Sequence, residues 1–91
     1  MVDVIVETRF EEPLTAAAHG KRQRLLGPCV MRNDVRWVQS YLSNDRRRMI
    51  CHFQAADAEA VRMAHRTAGV VFERVWTAAI LAPPQEEPAG D

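Results

Sequence analysis

Glu7, Cys51 and His52 are the side chains of this chain whose types could do chemistry together. A carboxylate beside an imidazole or a thiolate suits zinc, nickel or copper better than magnesium, because those ions are softer. Glu7 lies in the alternating run Val2 to Arg9, and Cys51-His52 in the run Met49 to Gln54. On neighbouring strands, about 4.8 Å apart, two such side chains can share an ion. Parity decides which donor joins Glu7. With Met49, Cys51 and Phe53 turned to the core, Ile50, His52 and Gln54 stand outward beside Glu7. The reverse parity puts Cys51 there instead, and a one-residue slip exchanges the sets. A plainer alternative pairs Glu7 with a neighbouring arginine and leaves Cys51 as a small buried residue.

Other patterns point less far. Neither HExxH nor CxxC occurs, and there is no glycine-rich phosphate loop or serine–histidine–acid order. Arg46-Arg47-Arg48 has the charge to grip phosphate, but a tight charged turn is ordinarily solvated. His19 and His65 fall on expected helices, and His65, at the edge of an apolar stripe, is expected to be a packed surface histidine. His52, in a pocket lined by Trp37, Tyr41 or Trp76, has the chemistry of an acid–base group.

The elements that would position these residues follow from periodicity and punctuation. Val2 to Phe10 alternates Val2, Val4, Val6 and Thr8 against Asp3, Ile5, Glu7 and Arg9, a strand with an apolar and a charged face. Thr15 is a plausible N-cap for a helix from Ala16 to about Leu26. Gly20 weakens that helix and Gly27-Pro28 is expected to end it, leaving Cys29 to Asp34 as a connector. Two strands follow, Val35 to Leu42 and Met49 to Gln54, joined by Ser43-Asn44-Asp45-Arg46. Trp37, Tyr41, Met49, Cys51 and Phe53 stand at alternating positions along them. Asp57 caps a second helix with Glu59 in its first turn, a stripe of Val61, Ala64 and Ala68, and Gly69 as its left-handed end. Arg74 to Leu81 reads as the last strand.

The order β-α-β-β-α-β is the split βαβ of the ferredoxin-like α+β fold. Right-handed crossovers put both helices on one face of a four-stranded antiparallel sheet, with the first and third strands central. The bare face suits a ligand or a second copy, as in dimeric α/β-barrel proteins. Residues 1–81 form one domain, and the Pro- and acid-rich residues 82–91 are expected to be disordered.

Composition narrows the classes. The 91 residues are 47% hydrophobic and 26% charged with zero formal net charge, which gives no bulk attraction to nucleic acid or an anionic membrane. The central strands lack the glycine and paired aromatics that RNA-recognition domains use, so nucleic acid is not an expected partner. No apolar run of about 18 residues exists. The N-terminus lacks a secretory layout, so a cytoplasmic address is expected, with Cys29 and Cys51 as free thiols.

Several stretches also resemble a small bacterial family, number 4242 of the domains of unknown function. Val6-Glu7-Thr8-Arg9-Phe10 looks like its first strand, and Trp37-Val38-Gln39-Ser40-Tyr41 like its Trp-Val-His-Ser-Tyr strand. Asp45, Cys51 and Phe53 are similar to its Asp…Cys-x-Tyr stretch. Ala56-Asp57 through Val61-Arg62, Ala64-His65-Arg66 and Gly69 resemble its second helix, and Arg74-Val75 the start of its last strand. The resemblance implies a dimeric ferredoxin-like fold and, for some members, nickel binding or a nickel response. It implies Glu7, Gln39 and Cys51 as metal-side positions. Relatives carry histidine where this chain has Gln39, an amide and a poorer ligand, and His52 is the imidazole that could substitute.

The leading expectation is therefore binding without catalysis: a nickel-like ion or a small ligand on the open face of a homodimer. The alternatives are a dimeric barrel enzyme of monooxygenase or isomerase type using His52, and a structural or regulatory homodimer.

Overall fold

A computed structural model describes residues 1–83. Its elements run β1 (Val2–Arg9), α1 (Ala16–Arg32), β2 (Arg36–Leu42), β3 (Arg48–Ala55), α2 (Ala58–Ala68) and β4 (Arg74–Ala78). The strands form one antiparallel sheet in the order β2-β3-β1-β4, which is the ferredoxin-like arrangement with β1 and β3 central. Val4, Val6 and Thr8 of β1 and Met49, Cys51, Phe53 and Ala55 of β3 are buried. They meet Leu26 and Cys29 of α1 and Val61 and Ala64 of α2 in a single core. The opposite face of the sheet carries Asp3, Ile5 and Glu7 beside Gln54, His52 and Ile50.

The second helix forms as its sequence predicts. Asp57 accepts from the Ala60 amide at 2.8 Å, and Gly69 closes the helix at φ 69°. The first helix differs. Thr15 caps it, accepting from the Ala18 amide at 3.1 Å, but the helix runs through Gly27 and Pro28 to Arg32. Pro28 removes the donor that would reach the Arg24 carbonyl, and Arg24 is exposed, so water can satisfy that oxygen. Continuing the helix buries Cys29. It also lets Asn33 cap the end, its Nδ2 donating to the Cys29 carbonyl at 2.8 Å. Residues 29–34 are thus mostly helix rather than connector.

β4 stops at Ala78, three residues short of the expected Leu81, and residues 79–83 form no regular structure. The expected disorder of the tail falls, from residue 84 onward, outside the described residues. The hairpin turn is tied down on the β1–α1 loop. Arg46, at φ 63°, donates from Nε to the Leu14 carbonyl at 2.6 Å, while its own carbonyl accepts from the Leu14 amide at 2.8 Å. These bonds offset the strain of a left-handed arginine, and they give Arg46 a structural partner in place of a phosphate.

Candidate functional site

The bare face of the sheet is where the chemistry-bearing side chains gather, and β3 supplies the central one. Because Met49, Cys51 and Phe53 point under the helices, His52 stands outward, with Ile5 as its partner on β1 and Gln39 as its partner on β2. Asp3 and Glu7 flank Ile5 and are equally diagonal to His52. The ring goes to Asp3: His52 Nε2 lies 2.7 Å from Asp3 Oδ1. A carboxylate can only accept, so Nε2 carries the proton and the neutral ring has Nδ1 for a lone pair. This hydrogen bond is the main influence that holds the Asp3 carboxyl below its ordinary range, with a weaker one from Gln54 Nε2 at 3.4 Å.

Glu7 is engaged elsewhere. Its Oε2 accepts from Trp76 Nε1 at 2.8 Å and lies 3.9 Å from Arg74 Nε. The carboxylate beside His52 is therefore Asp3 and not Glu7. β4 explains the division: opposite Glu7 it offers Arg74 and, two pairs along, Trp76, whereas opposite Asp3 it offers Ala78. Asp3 escaped the sequence reading because its distance from His52 in pairing register equals that of Glu7. The signal that separates them is on β4.

Cys51 does not join this group. It is buried on the helix side, where burial pushes its thiol pKa up against weaker opposing effects of a Ser40 hydrogen bond and the Arg22 charge. Gln39 does lie on the open face, hydrogen-bonded through Nε2 to the Tyr41 hydroxyl. It is there because of an irregularity in β2. Trp37 pairs with Phe53 and Gln39 pairs with His52, so Val38 is an extra residue, the signature of a β-bulge. The bulge separates Trp37 from Tyr41. Tyr41 and Trp76 border the space beside His52, about 430 Å³, whereas Trp37 lines the helix side with Phe53 and His65.

His65 proves to be core rather than surface, at 1% exposure. Its Nδ1 donates to the Val61 carbonyl at 2.9 Å, and its ring meets Phe53 and Phe72 edge-on with centroids 5.6 Å away in both cases. Burial is the leading influence on its pKa and lowers it. Both cysteines are free and buried.

Among the described residues no group of three or more His, Cys, Asp and Glu side chains is placed to hold a metal, and no helix is long and apolar enough to cross a membrane. What the open face does present is one imidazole oriented by one carboxylate. That is the arrangement in which metal-bound histidines are held, the second ring nitrogen being the ligand. The donor chemistry fits a borderline divalent ion, with His52 as ligand and Asp3 behind it. One chain supplies fewer groups than the roughly four to six such an ion takes.

A family model described as nickel responsive protein SCO4226-like matches residues 5–77. Among solved structures, the chain is similar to the crystal structure of SCO4226 from Streptomyces coelicolor A3(2). That likeness has a TM-score of 0.76 at 16% identity, covering 88% of this chain and 99% of that one. At such identity it speaks for the fold. No curated protein matches the chain. The match carries the nickel-responsive character of the resemblance drawn above, though not the number 4242.

Proposed function

Since the chain belongs to the SCO4226-like family of nickel responsive proteins, we propose that it is a cytoplasmic binding protein for a borderline divalent ion, nickel first, without catalysis. His52 is the imidazole ligand through Nδ1, and Asp3 fixes the orientation of its ring. Gln39, directly across from His52, is the neutral third group. The observation that carries this reading is the 2.7 Å contact between His52 Nε2 and Asp3 Oδ1 on a sheet face that no helix covers. A second copy docked on the same face would supply the missing donors, and Val38, Tyr41, Ile50 and Trp76 give that face exposed apolar area for it.

Calorimetric titration of the tag-free protein with nickel tests the site. Wild type should give saturable heat, and His52→Ala should abolish it. Asp3→Asn should weaken binding by roughly 10- to 100-fold, while Cys51→Ala and Glu7→Gln should bind as wild type. Heat that persists undiminished in His52→Ala overturns the assignment. Light scattering tests the assembly: the proposal expects the mass of two chains.

The same hydrogen bond supports one other reading. Asp3–His52 beside a space of about 430 Å³ bordered by Trp76 and Tyr41 has the form of an oriented general base next to a small organic substrate. A silent nickel titration, together with aromatic fragments that shift the NMR signals of His52 and Trp76, would favour it.

A further inference from the structure

The helix layer covers the sheet unevenly. β2 buries none of its residues, and α1 buries only Leu26 and Cys29 along its 17 residues. Between them lie two adjoining cavities of about 130 and 320 Å³, with Trp37 and Met49 in the walls of both. The inner one has Met49, Cys51 and Phe53 for a floor, His65 at its back, and Arg22 and Gly27 of α1 on the near side. It lies across the sheet from His52 and shares no residue with the space beside it.

The charge in the inner cavity is of one sign. Burial pushes the Arg22 pKa down, and among the described residues no carboxylate forms a salt bridge with it. Its guanidinium has five donors, yet its hydrogen bonding amounts to one long bond from Nη1 to the Val71 carbonyl at 3.4 Å. The Phe10 ring, 5.3 Å from Cζ, supplies the remaining contact. Every other titratable neighbour is neutral. The Cys51 thiol is held protonated by burial, and the His65 imidazole is held neutral, its Nδ1 proton committed to Val61. The outer cavity adds His19, whose buried Nδ1 has no hydrogen-bond partner among the described residues. A half-buried cation short of acceptors, beside aromatic and aliphatic walls, is complementary to one anionic group on an apolar body. A phosphate or sulfate would need more than one such fork. A divalent cation would meet Arg22 as a like charge.

We propose that this cleft between α1 and β2 binds a small monocarboxylic acid, its carboxylate on Arg22 and its apolar body between Trp37, Leu26 and Phe53. About 130 Å³ admits a molecule of roughly nine to thirteen heavy atoms, at 10–15 Å³ for each water-sized position. The outer cavity would take any extension toward His19. Gly27 lines the inner cavity without a side chain, and a Cβ at this position would meet no atom within 4 Å.

Hexanoate and its neutral counterpart hexanamide are suitable probes, followed by NMR on the full chain. Hexanoate should shift the signals of Trp37, Gly27 and Cys51 in a saturable way, leaving those of Asp3 and His52 in place. Hexanamide should bind at least about tenfold more weakly, as expected when a charge-assisted fork is lost. Arg22→Gln should lose the same factor. Gly27→Leu, which adds bulk at the cavity wall and removes no charged group, should abolish binding while leaving the nickel titration as in wild type. Equal binding of hexanamide, shifts confined to the open face, or wild-type affinity in Gly27→Leu would each overturn the proposal. Should Arg22→Gln fail to fold, the two probes on wild type decide the matter alone.

Discussion

The two faces of β3 place histidine in opposite circumstances. Under the helices, Phe53 packs on His65, which is closed off among aromatic rings and bonded to a carbonyl of its own helix. On the other face, His52 leans on Asp3. A carbonyl one turn back in the same helix cannot leave, so the His65 ring is fixed as packing. A carboxylate at the sheet surface can stay as an orienting partner while the opposite ring nitrogen meets a ligand. The difference shows that partner type, more than the histidine itself, separates a structural imidazole from a chemical one. It also separates the two histidines: the His65 ring is held as packing, and the His52 ring keeps one nitrogen clear of its partner.

Truncation along β3 tests that division most severely. Phe53 is 2% exposed, and Phe53→Ala should cost roughly 3–5 kcal/mol in urea unfolding. Ile50, three residues before it on the bare face and 39% exposed, should cost under about 1 kcal/mol when changed to alanine in dilute protein. A cost for Ile50→Ala that grows with protein concentration would show a second copy on the open face. The next largest effect is on pH dependence. Because burial lowers the His65 pKa, the unfolded chain takes up that proton first. The contribution is therefore complete above the unfolded value of about 6.5 and is lost as pH falls from there toward the folded value. Urea midpoints measured from pH 8 to pH 5 should decline less in His65→Leu than in wild type.

How far the sequence disclosed these faces depends on the range of the signal. The parity of β1 is a local alternation, and it placed Val4 and Val6 inward; on β3 the same alternation left two settings open, and the structure takes the one with Cys51 and Phe53 inward and His52 outward. α2 announces itself through Asp57, its stripe and Gly69, all within one short segment. α1 does not, because Gly27-Pro28 is a local stop that is overridden by the burial of Cys29 and the Asn33 cap. The bulge at Val38 is equally hidden: nothing in Trp37-Val38-Gln39 marks the extra residue, yet it decides that Trp37 and Gln39 serve different faces. The acid expected beside His52 is Glu7 and the one found there is Asp3, because the competition from Arg74 and Trp76 for Glu7 arises on a strand far along the chain.

Gly27→Ala sharpens the contrast between the helices by a smaller amount. The position is inside α1 and an added Cβ meets nothing, so the change should stabilise by roughly 0.5–1 kcal/mol. Destabilisation would mean that α1 does not run through Gly27 in solution.

The smallest effect bears on the open face itself. The His52 hydrogen bond holds the Asp3 carboxyl below its ordinary range. A depressed acid contributes stability above the unfolded value of about 3.9 and loses it as pH falls through the folded value. Asp3→Asn should therefore flatten the lowest part of the acid limb without changing the midpoint near neutrality by much. Carboxyl NMR gives the sharper readout: the Asp3 titration should move up toward the ordinary range in His52→Ala. If Asp3 titrates alike with and without the ring, the two side chains are not in contact in solution. His52 would then have no orienting partner, and the distinction drawn between the two histidines would rest on exposure alone.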